Sequence, residues 1–213
     1  MNKSKNKTRK IKHSDNTEKI PTYGEIEYNS NDGMLTTVWG PSVWHYLHTL
    51  SFNYPVKPTM QDKKHYRDYI LLLEYVLPCG KCRKNLYKNF KKLPLTMKQM
   101  ESRATFSRYI YDLHEVVNKM LCKKSNLTYD EVKERYEHFR SRCTKSLNKI
   151  KIRKTIKKRK KEKGCTEPLY GEKSKCILRI VPQKEKCETL EIDNKCIKKR
   201  ESMLLEEKSK NKI

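Results

Sequence analysis

The sequence predicts an all-α domain, a compact bundle of four helices and a short fifth, flanked by flexible basic tails. Apolar and aromatic residues concentrate between Met34 and Cys143, a stretch long enough for one compact core. Within it, apolar side chains recur at helical spacing, and no window combines strand alternation with hairpin turn signals. Hydrophobic residues make up 35% of the chain and charged residues another 35%, so the whole chain cannot be uniformly packed.

This composition divides the chain into four segments. Residues 1–33 are predicted to be a disordered basic tail, 34–143 the helical domain, 144–163 a basic linker, and 164–213 a tail that contains cysteines. No apolar run reaches the length of a membrane span, and the first residues lack the apolar stretch of a secretory signal. We therefore expect neither a transmembrane segment nor secretion.

The first two helices are predicted from proline positions and periodicity. Helix 1 should begin near Gly40, with Pro41 in its first turn, and end before Tyr54-Pro55, because the residue before a proline avoids the α conformation. Helix 2 should span residues 60–76. Its apolar stripe comprises Tyr66, Tyr69, Ile70, Leu73 and Leu77.

The last two helices follow a turn at residues 93–96. Helix 4 should run from Met97 or Ser102 to Leu121, and helix 5 from 129 to 142 with Thr128 as its N-cap. The residues of helix 4 predicted to face inward are Phe106, Tyr109, Ile110, Leu113, Val116, Val117 and Met120.

Helix 3 is predicted to begin at a CxxC motif and to run to about Lys91. Cys79 and Cys82 would share one face of its first turn, close enough to bridge, and Pro78 just before that turn suits a helix N-terminus. The positive end of the helix dipole favours thiolate over thiol at this position. Such a dithiol is either a redox device or half of a zinc site.

Redox chemistry is the favoured interpretation of this pair. A structural zinc site needs a second close pair of ligands, and the sequence contains no other CxxC. A thioredoxin-like site would follow a strand, which is not predicted here. An inert buried pair is disfavoured because Lys81 and Arg83 make the surroundings electropositive.

Three motifs carry a resemblance to a known family. Residues 39–50 (WGPSVWHYLHTL) are followed by Tyr54-Pro55; residues 77–82 read LPCGKC; and residues 114–121 read HEVVNKML. In this order and at these intervals they resemble the motifs of the Erv/ALR sulfhydryl oxidases, which are linked to FAD. The Trp-Gly-Pro opening is most similar to versions encoded by large cytoplasmic DNA viruses. The resemblance covers roughly residues 36–142.

The resemblance implies an FAD-dependent thiol oxidase that forms disulfides in protein substrates. Electrons would pass from a substrate dithiol to the CxxC, then to FAD and to O2, giving H2O2. Cys79 would meet the substrate and Cys82 the flavin. No metal is implied, and the partners would be protein thiols, O2 and a second copy paired through helices 1 and 2. As a viral enzyme it would reside in the host cytoplasm or the virion.

The implied cofactor site draws on several helices. Trp44 and His48 would face the FAD, as would His114 and Asn118. Lys123 and Arg135 would suit the pyrophosphate as cations. Trp39 and Gly40 would close one end of the site, and Tyr136 or Phe139 would stack on the adenine. The complete set of predicted cofactor-binding residues is Trp39, Gly40, Trp44, His48, Cys82, His114, Asn118, Lys123, Arg135 and Tyr136.

The chain departs from the family pattern at three places. Glu115 stands where cellular members have Asn, and residues 134–142 replace their Trp-Lys-Asp-Gly-like ending. Tyr111 and Thr128 occupy the places of the disulfide that joins helices 4 and 5 in cellular members. Cys122 and Cys143 are the candidates for a substitute pair.

The tails allow further interpretations. Cys165, Cys176, Cys187 and Cys196 would act as shuttle cysteines between substrate and active disulfide, or would staple a small tail without a catalytic part. Residues 178–181 would form a short strand.

The net charge is +25, with basic runs in 1–20 and 144–163, so the tails could bind nucleic acid or another acidic surface. The alternative function is therefore a non-enzymatic, cysteine-stapled helical protein that binds nucleic acid or virion components.

Overall fold

A computed structural model describes residues 24–141, 165–182, 184–185, 188 and 190–197. Their regular structure consists of helices, and the one pairing of β type among them is an isolated bridge between Ser141 and Pro168. The all-α prediction is confirmed. The α-helices are α1 (Glu25–Tyr28), α2 (Thr36–Phe52), α3 (Met60–Val76), α4 (Gly80–Lys92), α5 (Arg103–Met120) and α6 (Tyr129–Glu137); Met97–Met100 and Asn194–Cys196 are 3-10 turns.

Helix α1 belongs to a unit that ends at Asp32, separate from the unit that begins at Gly33. The prediction of an unstructured segment over 1–33 did not anticipate this helix. The Glu27 carboxylate accepts a hydrogen bond from the Gly24 N–H at 2.9 Å, and two acidic residues in the first turn suit the helix dipole.

Helix α2 corresponds to the predicted helix 1. It begins one turn earlier than predicted, so that Pro41 lies inside it rather than in its first turn. The extra turn is held by the Leu35 carbonyl, which accepts the N–H groups of Val38 at 3.0 Å and Trp39 at 3.3 Å. The Trp39 indole N–H also donates to the Met34 carbonyl at 3.0 Å. These bonds anchor the turn, although proline removes one bond from the helix ladder.

The predicted helices 2, 3 and 4 correspond to α3, α4 and α5. Helix α3 has the predicted bounds, and the bounds of α4 and α5 differ from the predicted ones by one or two residues. Thr59 and Thr128 cap α3 and α6, each in a reciprocal box with an acidic side chain three residues later. Helix α6 ends at Glu137, earlier than predicted, because the chain turns there and the Arg140 guanidinium reaches back to Glu137 and to the Phe52 carbonyl. Arg142 and Cys143 lie outside the described residues.

The core fills the space between α2, α3, α4 and α5. Its buried side chains are Leu47, Tyr54, Ile70, Leu86, Phe90, Leu95, Met100, Phe106, Tyr109, Ile110 and Leu113. Two residues predicted to face inward do not: Tyr69 is 40% exposed and Met120 is 42% exposed. Met120 ends α5, beyond the part of that helix that the others cover. Among the described residues, none of the helices combines the length and the hydropathy that a bilayer span needs.

The C-terminal described segment pairs with the end of the helical domain. The Leu169 N–H donates to the Arg140 carbonyl at 2.7 Å, and the Glu172 N–H donates to the Lys195 carbonyl at 2.7 Å. Gly171 has a φ of +65° and lies close to the Cys196 backbone. A Cβ at Gly171 would be only 2.6 Å from the carbonyl carbon of Cys196, so this position requires glycine. The strand predicted at 178–181 is not formed, because this stretch is open to solvent, with Leu178 76% exposed, and no described strand lies beside it.

Tyr54 ties the loop after α2 to the core and gives a test of the packing. Its side chain is fully buried, and its hydroxyl donates to the Met100 carbonyl at 2.9 Å. We expect Tyr54→Phe to lower the free energy of unfolding by about 1–3 kcal/mol, because the carbonyl loses its partner in the interior. Urea unfolding measures this change. Tyr87→Phe, at a half-exposed ring, is the control, and an equal loss in both variants would contradict the assignment.

Candidate redox-active site

The site is built on the turn that starts α4. Cys79 is the N-cap and Cys82 lies in the first turn; they form a disulfide with a Cα–Cα distance of 5.2 Å. The Cys82 N–H donates to the Cys79 sulfur at 3.2 Å. A bridge over three residues constrains the unfolded chain little, so this disulfide contributes less to stability than a long-range one would. Its half-buried position instead leaves the sulfurs accessible to chemistry.

The turn before the disulfide is fixed by one carbonyl. The Leu77 oxygen accepts the Cys79 N–H at 2.8 Å and the Arg83 guanidinium at 2.5 Å. Arg83 therefore holds its charge next to the disulfide, where it favours thiolate forms after reduction.

The segment before α2 lies against this turn. The Met34 N–H donates to the Pro78 carbonyl at 3.3 Å, and the Thr36 hydroxyl lies 3.8 Å from the Cys82 sulfur. A Cβ at Gly33 would lie 3.1 Å from the Pro78 oxygen, so the close approach requires glycine or a small shift. The start of α2 is thereby fixed at the disulfide.

One side of α2 leads away from the disulfide toward a second group of residues. Thr36, Gly40, Trp44 and His48 follow one another at four-residue intervals and lie along one side of the helix. With a rise of about 1.5 Å per residue, this side spans about 18 Å. A Cβ at Gly40 would meet only the Thr36 methyl group, at 3.8 Å, so the surface there is open.

At the far end of this side, aromatic rings from α2, α5 and α6 form a ring cluster, defined as Trp44, His48, Phe52, His114 and Tyr136. The Trp44 and His114 rings stack with centroids 4.0 Å apart, and His48 Nε2 lies 3.0 Å from His114 Nδ1. Tyr136 lies 5.3 Å from His48 and 5.4 Å from Phe52 between ring centroids. Three helices thus converge on one pair of histidines.

Both histidines of this pair are kept neutral. Burial lowers the pKa of His48 to about 3, with the neighbouring histidines His114 and His45 adding to the effect. Burial also lowers the pKa of His114 to about 4, against a smaller opposing effect of Glu115. His48 Nδ1 is buried and has no hydrogen-bond partner among the described residues, so it remains available to a ligand.

A cavity of about 440 Å³ opens beside His114, at the end of α5. It is lined by Glu115, Val116, Lys119, Lys123, Lys124, Ser125 and Asn126. The charge of Lys123 reaches His114 and contributes to its lowered pKa. Three lysines in one concave surface suit an anionic group such as a phosphate.

The structure brings together some of the predicted cofactor residues and separates others. Asn118 does not join the ring cluster; its amide donates to the Glu115 carboxylate at 3.1 Å. Arg135 lies half-buried in the last turn of α6, beside Tyr136. Trp39 is tied to the Met34 carbonyl near the disulfide. Phe139 is 37% exposed at the edge of the cluster.

Two residues of the site, His45 and Phe52, were not predicted from the sequence. His45 Nδ1 lies 3.2 Å from the Tyr136 hydroxyl, and Phe52 stacks on Tyr136. The partners of each pair are far apart in the chain, so only the packing of α6 on α2 brings them together. A single sequence contains no pattern that predicts such a pair.

Tyr111 and Thr128, which the resemblance places where a disulfide was expected, both make hydrogen bonds near the junction of α5 and α6. The Tyr111 hydroxyl donates to the Leu127 carbonyl at 2.8 Å, and Thr128 caps α6. Cys122 is an exposed free thiol, so the predicted pair with Cys143 is not formed here, and Cys143 lies outside the described residues. Cys122 follows the C-cap of α5 with a φ of +55° and is exposed to solvent.

The tail cysteines differ in state. Cys165 is disulfide-bonded, whereas Cys176 and Cys196 are free thiols, and Cys187 lies outside the described residues. Cys165 and Cys196 line a cavity of about 360 Å³ together with His138 and Phe139. The shuttle role stays a prediction. In the part of the chain that the structure describes, no group of three or more His, Cys, Asp or Glu residues suits a metal ion.

Comparison with known proteins adds an independent observation. The model of the Erv1/Alr family matches residues 41–137. A probable FAD-linked sulfhydryl oxidase of Acanthamoeba polyphaga mimivirus is 40% identical over 99 residues, which cover 46% of this chain and 68% of that protein. The FAD-linked sulfhydryl oxidase of African swine fever virus is 32% identical over 99 residues, 46% of this chain and 80% of that protein.

A cellular relative shows how far the similarity extends. The mitochondrial FAD-linked sulfhydryl oxidase of Saccharomyces cerevisiae is 32% identical over 100 residues, which cover 47% of this chain. The matched region spans about half of that yeast protein (51%), against about two thirds of the mimivirus protein. The similarity lies in the helical domain that carries the CxxC and the ring cluster, and by it the chain belongs to the Erv1/Alr family.

Proposed function

We propose that the chain is an FAD-linked sulfhydryl oxidase that forms disulfides in protein substrates. The observation that carries this proposal is the single side of α2 that joins the half-buried Cys79–Cys82 disulfide to the ring cluster. Family membership supports the same activity. The alternative, a non-enzymatic protein that binds nucleic acid or virion components through its tails, gains no support from these findings.

The residues of the site fit FAD. The open surface at Gly40, the buried and unpartnered His48 Nδ1, and the three lysines of the cavity beside His114 match a flat ring system linked to a pyrophosphate. Trp44, His48 and His114 would hold the cofactor, with Lys123 and Arg135 near its phosphates. When bound, FAD takes the electron pair from the reduced cysteines and passes it to O2, giving H2O2.

The cysteines divide the thiol chemistry between them. A substrate thiolate attacks the Cys79 sulfur, forming a mixed disulfide and breaking the Cys79–Cys82 bond, so that Cys82 leaves as a thiolate. The Thr36 hydroxyl, 3.8 Å from the Cys82 sulfur, can donate to this thiolate. A second substrate thiol then attacks the mixed disulfide, which releases the oxidised substrate and the Cys79 thiolate. The Cys82 N–H and the positive end of α4 stabilise that charge.

Absorbance and turnover test this function together. The purified chain should carry flavin, whose visible absorbance band anaerobic dithiothreitol bleaches. Cys79→Ser should retain the flavin and lose oxygen consumption, because the sulfur that the substrate attacks is gone. Cys122→Ser, at the exposed free thiol, should retain both. Protein without flavin, or a Cys79→Ser variant with full turnover, would refute the proposal.

The neutral histidine pair predicts a pH dependence of stability in the flavin-free chain. The pKa values of His48 and His114, about 3 and about 4, lie below the ordinary value of 6.5. At pH values between these lowered pKa values and 6.5, the unfolded chain binds more protons than the folded one. The free energy of unfolding should therefore fall as the pH drops from about 7 to about 5. Urea unfolding of the His114→Gln variant should show a weaker dependence. His65→Gln, at an exposed position, should show the wild-type dependence, and identical curves for all three proteins would contradict the assignment.

We also propose a homodimer paired through α2 and α3. Exposed apolar side chains on these helices support this pairing: Tyr46 is 51%, Leu72 54% and Val76 66% exposed. The Tyr46 and Tyr69 rings meet edge to face, which joins the two helices into one surface.

A charge in this surface should separate the subunits. We expect Leu72→Arg to be monomeric in light scattering at concentrations where the wild type is dimeric, because a guanidinium would be buried without a partner. Ile177→Arg, at an exposed apolar position in the tail, should remain dimeric. A wild-type monomer, or a dimeric Leu72→Arg variant, would contradict this interface.

The remaining proposals concern the tails and the location. The tail cysteines would pass electrons from bulky protein substrates to Cys79, and the basic runs of the tails would contact acidic surfaces, nucleic acid among them. The viral relatives support a place in the host cytoplasm or the virion.

A further inference from the structure

Helix α4, which starts at the redox disulfide, has an unusual distribution of charge. It carries six basic residues and no acidic one. Helix α3 carries three basic and three acidic residues, and α6 carries two basic and four acidic residues. The excess of lysine on α4 therefore does not simply reflect the lysine-rich composition of the chain.

Five of these basic residues form a lysine row, defined as Lys81, Lys84, Lys88, Lys91 and Lys92. At about 100° per residue, they fall within an arc of about 100° on the outer side of the helix. All five are exposed. The sixth basic residue, Arg83, points inward to the Leu77 carbonyl and is not part of the row.

The lysine row is not neutralised within the described residues. The ion pairs found there join Arg67 to Asp68, Arg108 to Asp112 and Arg140 to Glu137, and none involves α4. Lys81 also lies in the first turn of α4, where the helix dipole disfavours a cation. The helix thus keeps an unfavourable concentration of positive charge beside the disulfide.

We propose that the lysine row binds an acidic segment of the protein substrate next to the cysteines that are oxidised. The inference rests on the proposed thiol oxidase function and adds the substrate class. Lys81 lies between the two cysteines, and Lys84 and Lys88 lie about 5 and about 10 Å further along the helix axis. An extended chain spans about 3.3 Å per residue, so acidic side chains within about four residues of the attacking cysteine would meet these lysines.

The surface fits a polypeptide better than a nucleic acid. The helix has one exposed aromatic ring, Tyr87, and the Lys91 ammonium lies over it at 4.3 Å, so no open series of rings is available for base stacking. The row also ends at a disulfide whose chemistry requires a thiol, which a polypeptide supplies.

Binding of matched peptides to the flavin-loaded chain tests the proposal without turnover. The probes are two labelled peptides with serine in place of both cysteines, one with Asp and Glu around these positions and one with Asn and Gln. By fluorescence anisotropy at low salt, the acidic peptide should bind about tenfold more tightly, and the difference should shrink as NaCl rises from about 20 to about 500 mM.

Charge reversal locates the binding surface. The Lys84→Glu/Lys88→Glu variant should lose the preference for the acidic peptide, whereas Lys84→Arg/Lys88→Arg should keep it. The control is Lys98→Glu/Lys133→Glu, which makes the same change of net charge at exposed lysines on other elements. Oxidation of dithiothreitol, which has no acidic side chain, is measured for every variant, so that a general change in the reactivity of the disulfide is separated from a loss of preference for the acidic peptide.

With cysteines restored in the acidic peptide, kcat/KM for its oxidation should fall about tenfold in the charge-reversal variant and remain unchanged in the control. Equal binding of both peptides, or an equal loss in the control, would overturn the proposal. Tighter binding of single-stranded DNA than of the acidic peptide to the same lysines would also overturn it. Absence of dithiothreitol oxidation in the wild type would instead refute the oxidase function, while the anisotropy result would still decide whether the row prefers acidic peptides.

Discussion

The packing of α2 on α5 is the contact on which the rest of the site depends. Trp44 stacks on His114 at 4.0 Å, and His48 joins the same histidine at 3.0 Å. The hydrogen bond between the two imidazoles requires one of the two nitrogens to lack a proton, and burial favours this by lowering the pKa values of both rings. Because α2 continues without interruption to Thr36 at the Cys82 sulfur, one helix sets the position of the disulfide relative to the rings. The spacing between the thiol chemistry and the cofactor site is thus a property of a rigid element rather than of a loop.

Local patterns predict most of the helices, and the exceptions have physical causes. Apolar periodicity places both ends of α3, Thr128 marks the start of α6, and α5 ends one residue before its predicted end. Pro41 misled the prediction for α2, because proline usually marks a helix start, while here local hydrogen bonds of Val38 and Trp39 hold an additional turn before it. The site follows the same division. The family resemblance points to Trp44 and His48, which helical spacing places one turn apart, whereas His45 and Tyr136 meet only through the fold.

The structure also shows where part of the chain's positive charge lies, which composition alone does not show. A net charge of +25 with basic runs in both tails directs attention to the termini. The structure shows that a folded helix carries a concentrated share of this charge, beside the disulfide. A helix that begins at a redox centre and presents lysines along its outer side combines the reactive group and a long-range electrostatic field in one element. Such a field acts on the rate at which oppositely charged partners arrive and on their orientation.

The link between α5 and α6 has a consequence for the domain when its disulfide opens. Between Gly33 and Ser141 the cysteines are Cys79, Cys82 and Cys122, and Cys79–Cys82 is the disulfide among them. The helices are held together by packing, by helix caps and by the Tyr111 hydrogen bond, none of which involves sulfur. Reduction of Cys79–Cys82 would therefore break no link between two helices of the domain. The disulfide can open and close without removing a contact that holds the bundle together.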